Sequence, residues 1–539
     1  MNSRRTAGLI FVGATVIAAG VVAAPSVGAF PNATPRYEPS PVEWTQCTNQ
    51  DLIDAGAECA KVKVPLDYSN PGGEKIDIAI SRVKHTSSSD AYQGVVLGNP
   101  GGPGGSGLDM SLIGSRIPSG VGAYYDWIGF DPRGVGDSGP TLSCGPDQGI
   151  KYDQPDLVPR SDITEQALKD KASGHADACG KNSGELLKHI KTTDAAEDME
   201  SIRLALGVEQ INYFGYSYGT YLGPVYSTMF PGKVKRMILD GNVDPQTAWY
   251  RSNHDQAKAA GRTLGKFFEW IAKYDRVYHL GATGTEVETR WFGERDRLDR
   301  AAAGGRIGSV EWTELFYSAV PGQGEWDRIA TAFSGWVNNG QWEALQKLYD
   351  ETQAPKTSGD VVLEAVLCTD APYPDDWAQW SADAWKGHAQ EPFYAWPSTW
   401  GALPCNYWTA GALEKPVQVD GENAPPTLLI HEQFDGATPY EDGLALRKLL
   451  TKSSLIGLPG GTTHSNSLSG NTCVDNAIAS FFADITTLPT RKPGDQADME
   501  CEPASQPVPK ALGGPRSGLK MSQRPAGLEN TLKAPFRTR

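Results

Sequence analysis

A short apolar run at residues 211–214 leads straight into Gly215-Tyr216-Ser217-Tyr218-Gly219, and helical spacing follows at once. A chain that turns this sharply from strand to helix must set residue 217 at the end of a buried strand, with glycine on either side to leave room for the turn. With 60 glycines in the chain, the five-letter pattern is weak by itself; the strand before it and the helix after it carry the argument. The surrounding elements agree. Residues 61–64 and 75–83 alternate apolar and polar side chains, as half-buried strands do. Residues 94–97, 127–130, 234–239, 426–430 and 454–458 are short apolar runs of the kind buried strands show. Residues 162–189, 193–206 and 472–482 carry helical spacing. This order predicts an α/β fold, a mostly parallel sheet flanked by helices. From 246 to 423 the alternation stops, and a mainly helical, Trp-rich insertion is expected to land on top of the sheet as a cap.

The predicted organisation is a signal peptide at 1–29, a linker or propeptide at 30–43, the first part of the sheet domain at 44–245, the cap at 246–423, the second part at 424–501, and a disordered basic tail at 502–539. A length of 539 residues suits one large domain carrying an inserted one. The leader has Arg4 and Arg5, an apolar run over 7–24, and small residues that offer cleavage after Ala24 or Ala29. Export predicts a secreted, extracellular protein with no stable membrane association once the leader is removed. Its eight cysteines then suggest four disulfides. Pairing neighbours (Cys47 with Cys59, Cys144 with Cys179, Cys368 with Cys405, Cys473 with Cys501) is the simplest scheme. A metal site is the alternative use of cysteine, and no C-x-x-C or Cys-His clustering in the sequence supports it. The net charge of -15 argues against nucleic acid as a partner, because binding a polyanion needs a basic face.

A serine hydroxyl is a weak nucleophile until a histidine takes its proton and a carboxylate fixes that histidine's tautomer. After an elbow of this kind the acid and then the base follow in chain order. Two histidines follow the insertion. His431 falls within a strand and reads as packed; His464 lies in the loop Gly460-Gly461-Thr462-Thr463-His464 just past a strand. Asp435, in Phe434-Asp435-Gly436-Ala437-Thr438-Pro439, is the expected acid. Asp442 belongs to the following helix and Glu432 comes one turn too early. An oxyanion needs two backbone N–H donors. Tyr218, after the nucleophile, supplies one, and Gly102 in the loop Asn99-Pro100-Gly101-Gly102-Pro103-Gly104-Gly105-Ser106-Gly107 supplies the other. That loop lacks the ending of a phosphate-binding loop and the spacing of a dinucleotide fingerprint. No cofactor or metal is expected.

Taken together, NPGGPGGSG at 99–107, DPRGVGDS at 131–138, the Ser217 elbow, DGATPY at 435–440 and VPLDY at 64–68 resemble the secreted bacterial tripeptidyl aminopeptidases, relatives of the prolyl aminopeptidases. The resemblance covers nearly all of 44–501. It implies an α/β-hydrolase fold and release of tripeptides, sometimes tetrapeptides, from the free N-termini of peptides or proteins, in some members after proline. The family usually carries Gly-His-Gly around the base, where this chain has Thr463-His464-Ser465.

Such an enzyme must measure from the substrate's amino group to the scissile bond, about 10 Å for three extended residues. A carboxylate at that distance would pair with the ammonium. Asp370, Asp375 and Asp376 in the insertion are the candidates, against the simpler reading of them as solvated acids or helix caps. The chain is expected to act as a monomer. A hydrolase of small esters or amides on the same fold is the alternative function. A non-catalytic binding protein would lack a triad residue, and a dehalogenase or epoxide hydrolase would need an aspartate at 217.

Overall fold

The computed structural model describes residues 37–146, 149–353, 357–412 and 415–513. The leader expected at 1–29, the start of the linker and the tail beyond Gly513 lie outside the described residues. Ten strands form one sheet: β1 (Thr45–Gln46), β2 (Glu58–Pro65), β3 (Lys75–Val83), β4 (Val95–Asn99), β5 (Asp126–Phe130), β6 (Ile211–Tyr216), β7 (Val234–Asp240), β8 (Thr427–Glu432), β9 (Ser453–Leu458) and β10 (Met499–Glu500). Their order is β1-β2-β3-β5-β4-β6-β7-β8-β9-β10. The first three strands pair antiparallel with one another and, through β3, with β5. Every pair from β5 to β10 is parallel.

The side-chain patterns account for this division. In β2, Val62 and Val64 are buried while Lys61 and Lys63 are exposed, so one face meets water. Strands β6, β8 and β9 are buried along their whole length, with helices covering both faces. Because β4, β6, β7, β8 and β9 run parallel as neighbours, the loops leaving their C-terminal ends collect at one rim.

Two of the family-like segments meet in the core. Arg133, in the segment 131–138, is fully buried and grips Asp198 with two hydrogen bonds of 2.8 and 2.7 Å. It also donates to the carbonyls of Leu66 and His189. Tyr68 donates to Asp198 from the other side at 2.8 Å. A buried cation in this setting is held by a carboxylate and carbonyls together, so removing one partner strands a charge.

The insertion between β7 and β8 is helical, as expected, but it is not a single cap. Helices Tyr250–Lys273, Gly284–Arg300, Ser309–Tyr317, Trp326–Asn339 and Trp342–Thr352 share their own aromatic core, with Trp270, Trp291, Trp312 and Trp326 fully buried. Helices Ser358–Asp370, Trp377–Gln390 and Ala395–Ala402 contribute Val362, Trp380 and Trp396 to the core of the sheet domain instead. These tryptophans fill interior volume. The tail boundary also differs. Asn471 Nδ2 donates to the Glu502 carbonyl and Trp270 Nε1 to that of Pro507, so the chain from 502 to 507 lies on the protein. The Cys473–Cys501 bond and the β9–β10 pairing fix the chain just upstream, and a proline-rich strand loses little entropy on docking. The cysteines form the four neighbour pairs, with none free. Among the described residues no helix is long and apolar enough to cross a membrane.

Candidate active site

Strand β6 ends at Tyr216 and the next helix, Gly219–Met229, begins within three residues. Ser217 makes that turn with φ 53°, a left-handed backbone that non-glycine residues seldom take outside strained functional turns. The turn is pinned on both sides: Ser217 N–H donates to the Asp240 carbonyl at 2.9 Å, and the Ser217 carbonyl accepts from Thr220 N at 2.8 Å. The flanking glycines are required by contact. A Cβ on Gly215 would stand 2.6 Å from the Gly219 carbonyl oxygen, and one on Gly219 would stand 2.8 Å from that of Asn99. In the whole stretch 211–227, Ser217 alone is not buried.

The loops that carry Asp435 and His464 follow β8 and β9. Asp435 Oδ2 lies 2.7 Å from His464 Nδ1. Its Oδ1 accepts from Ala437 N and Thr438 N at 2.8 and 2.9 Å, and the Thr438 hydroxyl donates to Oδ2 at 3.0 Å. Burial pushes the Asp435 carboxyl up, but the charge and hydrogen bond of His464, with His431 and Thr438, outweigh it and hold the group below its usual range. His464 is buried, and its N–H is held by the Pro321 carbonyl of the insertion at 3.0 Å. Its Nε2 is 3.4 Å from Ser465 Oγ, and no hydrogen bond joins it to Ser217 Oγ in this state. Resting serine enzymes often show this contact loose until substrate is bound. The elbow and the histidine loop do meet: the Asp240 carbonyl accepts both Ser217 N–H and, at 3.1 Å, the Ser465 hydroxyl. Ser465 has φ 50°, where the family's glycine would be unstrained, and that second hydrogen bond helps hold it there.

The glycine loop after β4 lies against the elbow. A Cβ on Gly101 would stand 2.8 Å from Ser217 Cβ and 3.0 Å from Tyr218 N. Among the described residues, neither the Gly102 nor the Tyr218 N–H donates to a protein group. Asp131 shapes the loop, its Oδ1 accepting from Ser106 Oγ at 2.7 Å and Gly107 N at 2.9 Å.

The remaining carboxylates sort themselves by contact. Both oxygens of Asp370 are engaged: Oδ1 accepts Thr192 N, and Oδ2 accepts Thr192 Oγ1 and Trp249 Nε1. Thr192 Oγ1 in turn lies 2.6 Å from the Tyr218 hydroxyl, so Asp370 braces Tyr218, the residue after Ser217. Burial pushes Asp370 up to about 6. Asp376 caps the helix Trp377–Gln390 through Ala378 N, and Asp375 is exposed beside it. His431 is fully buried, with Nε2 3.0 Å from the Thr438 carbonyl and 3.7 Å from Asp435. Burial lowers its proton affinity. Glu432 Oε2 accepts Thr463 N, next to His464.

Two features were not legible in advance. Asp240, the last residue of β7, places its carboxylate under the histidine loop and accepts Ser467 N at 2.8 Å. Burial raises it to about 6. Nothing in its local sequence separates it from any aspartate ending a strand. His175 and Cys179 form a Cys-His pair through helix spacing, with a 3.6 Å approach that a search for C-x-x-C passes over.

Asp442 lies in the first turn of the helix Tyr440–Leu449, buried near Asp244 and Asp255. Burial, and then those neighbouring charges, raise it to about 7. A carboxyl raised by folding gives stability that is complete below its unfolded pKa of about 3.9 and is lost as pH rises through the folded value. Wild type should therefore lose stability relative to Asp442→Asn between pH 4 and 7, by on the order of 1 kcal/mol or more. Thermal unfolding of both proteins across that interval checks this; parallel curves would contradict it.

A family model described as alpha/beta hydrolase fold matches residues 94–465, from the strand before the glycine loop to just past His464. The tripeptidyl aminopeptidase of Streptomyces lividans is 34% identical over 480 residues, covering 87% of this chain and 88% of that protein. Serine protease Hip1 of Mycobacterium tuberculosis is 29% identical over 487 residues, covering 84% and 90%. Carboxylesterase B of the same species is 30% identical over 511 residues, covering 88% and 93%. The chain belongs to the α/β-hydrolase family and is a serine hydrolase related to the tripeptidyl aminopeptidases.

Proposed function

We propose that this chain is a secreted serine exopeptidase that releases tripeptides, or tetrapeptides, from free N-termini. Ser217 is the nucleophile, His464 the base, Asp435 the acid that orients it, and the N–H groups of Gly102 and Tyr218 the oxyanion donors. Ser217 Oγ attacks the scissile carbonyl while His464 Nε2 takes its proton. Asp435, hydrogen-bonded to Nδ1, stabilises the imidazolium. The negative oxygen of the tetrahedral intermediate turns toward the two unused N–H groups. Collapse breaks the C–N bond, His464 returns the proton to the leaving amine, and the tripeptide remains as an ester on Ser217. Water activated by His464 then hydrolyses that ester. The four disulfides fit an oxidising compartment.

The observation that carries the peptide reading is the 34% identity over 480 residues to a tripeptidyl aminopeptidase. Of the acids proposed to read the substrate ammonium, Asp370 has its oxygens engaged and Asp376 is spent on a helix cap, so Asp375 is the most available. Hydrolysis of small esters is the second reading, favoured by the 30% identity to a carboxylesterase. A chromogenic tripeptide amide assayed with a free and an acetylated N-terminus, beside a short acyl ester, separates the two. The proposal expects kcat/KM for the acetylated peptide to fall by about tenfold or more, since the carboxylate that pairs with the substrate ammonium loses its ion partner. Equal rates on both peptides would remove the exopeptidase reading, and turnover of the ester alone would favour the second.

A further inference from the structure

Four metal-ligating side chains converge away from the active site. His175 and Cys179 stand one turn apart on the helix Asp162–Ser183, a spacing that points both off one face. Cys144 joins them from the segment after β5 through its bond to Cys179. Glu364 approaches from the helix Ser358–Asp370. One donor atom of each lies within 4.8 Å of all the others. His175 Nε2 is 3.6 Å from Cys179 Sγ and 2.6 Å from Glu364 Oε2. A tetrahedral zinc ion, with bonds of about 2.3 Å to sulfur and about 2.0 Å to nitrogen, sets those two ligand atoms about 3.5 Å apart. The histidine and one sulfur therefore already stand at zinc spacing, and the carboxylate needs a shift of under about 1 Å. What closes the site is the sulfur–sulfur bond, which leaves neither cysteine as a thiolate. The surroundings are suitable: Cys179 is buried, while the His175 and Glu364 side chains are 22% and 14% exposed, which leaves an entry path.

We propose that Cys144, His175, Cys179 and Glu364 form a redox-gated zinc site. A dithiol reductant opens the Cys144–Cys179 bond: its two thiols become a disulfide, and the protein's sulfurs take up the two electrons and two protons. Zn²⁺ then displaces both thiol protons to solvent and binds two thiolates, His175 Nε2 and a Glu364 oxygen. Reoxidation to the disulfide, with an oxidant of the disulfide class accepting the two electrons, expels the ion. The site ties together two helices that the disulfide alone does not join. Glu364 sits midway along a helix whose Gly359 packs on Gly104 of the glycine loop, where a Cβ would stand 2.1 Å from a carbonyl oxygen. The last residue of that helix is Asp370, which braces Tyr218 through Thr192.

The test uses the full chain, reduced under native conditions, with peptide mapping to report which bonds have opened and near-ultraviolet circular dichroism to report the fold. Cobalt(II) is then titrated in. The expected result is one cobalt per chain, with a thiolate-to-cobalt charge-transfer band and the visible bands of a tetrahedral site, displaced by one equivalent of Zn²⁺. His175→Ala and Glu364→Gln should each weaken binding on the order of 100-fold, and Cys144→Ser/Cys179→Ser should abolish the band. Cys47→Ser/Cys59→Ser should keep it. The proposal is overturned if the Cys144–Cys179 bond resists reduction in the folded chain, if it opens without a cobalt band, or if His175→Ala binds cobalt as tightly as the wild-type chain.

Discussion

Ser217→Ala is expected to lower kcat by roughly 10⁶-fold on a chromogenic tripeptide, because the acyl-enzyme cannot form without the hydroxyl. The small residual rate would come from the oxyanion donors and from positioning. The fold should survive, since the hydrogen bonds that pin this turn are made by the main chain of residue 217, to the Asp240 carbonyl and from Thr220 N. Alanine meets the same left-handed backbone as serine, so Tm should move by no more than about 2 °C. Peptide binding, measured by calorimetry on the inactive protein, should persist. A variant that keeps more than about a tenth of the activity would show that another group is the nucleophile.

Asp435→Asn is expected to cost about 10⁴-fold in kcat. The carboxylate accepts the Nδ1–H of His464 and so leaves Nε2 free to take the serine proton. An asparagine amide in that position donates to Nδ1 and moves the ring proton to Nε2, where the base must accept. The Asp435 carboxyl is kept below its usual range despite burial, by His464 first and then by His431 and Thr438 N–H. The wild-type loss of activity at low pH should therefore not follow protonation of this acid. Asp442→Asn, a rival acid along the chain, should change kcat by less than about tenfold, because Asp442 is buried in the first turn of its helix among Asp244, Asp255 and Glu441. Steady-state kinetics of the two variants side by side decide between them. A larger loss in Asp442→Asn would move the acid.

The parallel strands were readable because burial on both faces leaves short continuous apolar runs; 454–458 was expected and β9 is Ser453–Leu458. The elbow was readable because the Gly215 position answers a local demand, a Cβ there standing 2.6 Å from the Gly219 carbonyl oxygen, whereas the demand on Gly219 comes from Asn99 of β4. The insertion was readable as helix but not as two bodies. Amphipathic spacing says that a helix buries one face, not which core receives it, and Val362 and Trp380 joined the sheet domain while Trp312 joined the insertion. The chain from 502 to 507 reads as tail by composition, which does not report a dock such as Trp270 Nε1 on the Pro507 carbonyl.

The periodicities, the turn at Ser217, the loop positions of Asp435 and His464 and the neighbour spacing of the cysteines belong to stretches a few residues long, and local sequence carries them. That β6, β7, β8 and β9 lie side by side emerges with the assembled sheet. That order sets His464 2.7 Å from Asp435 and gives one Asp240 carbonyl to both Ser217 and Ser465. It also brought Glu364 to His175 across 189 residues. The physical reason is that side-chain period and turn chemistry act over one or two turns of chain, whereas the meeting of loops depends on how strands order themselves in a sheet, which no local pattern encodes.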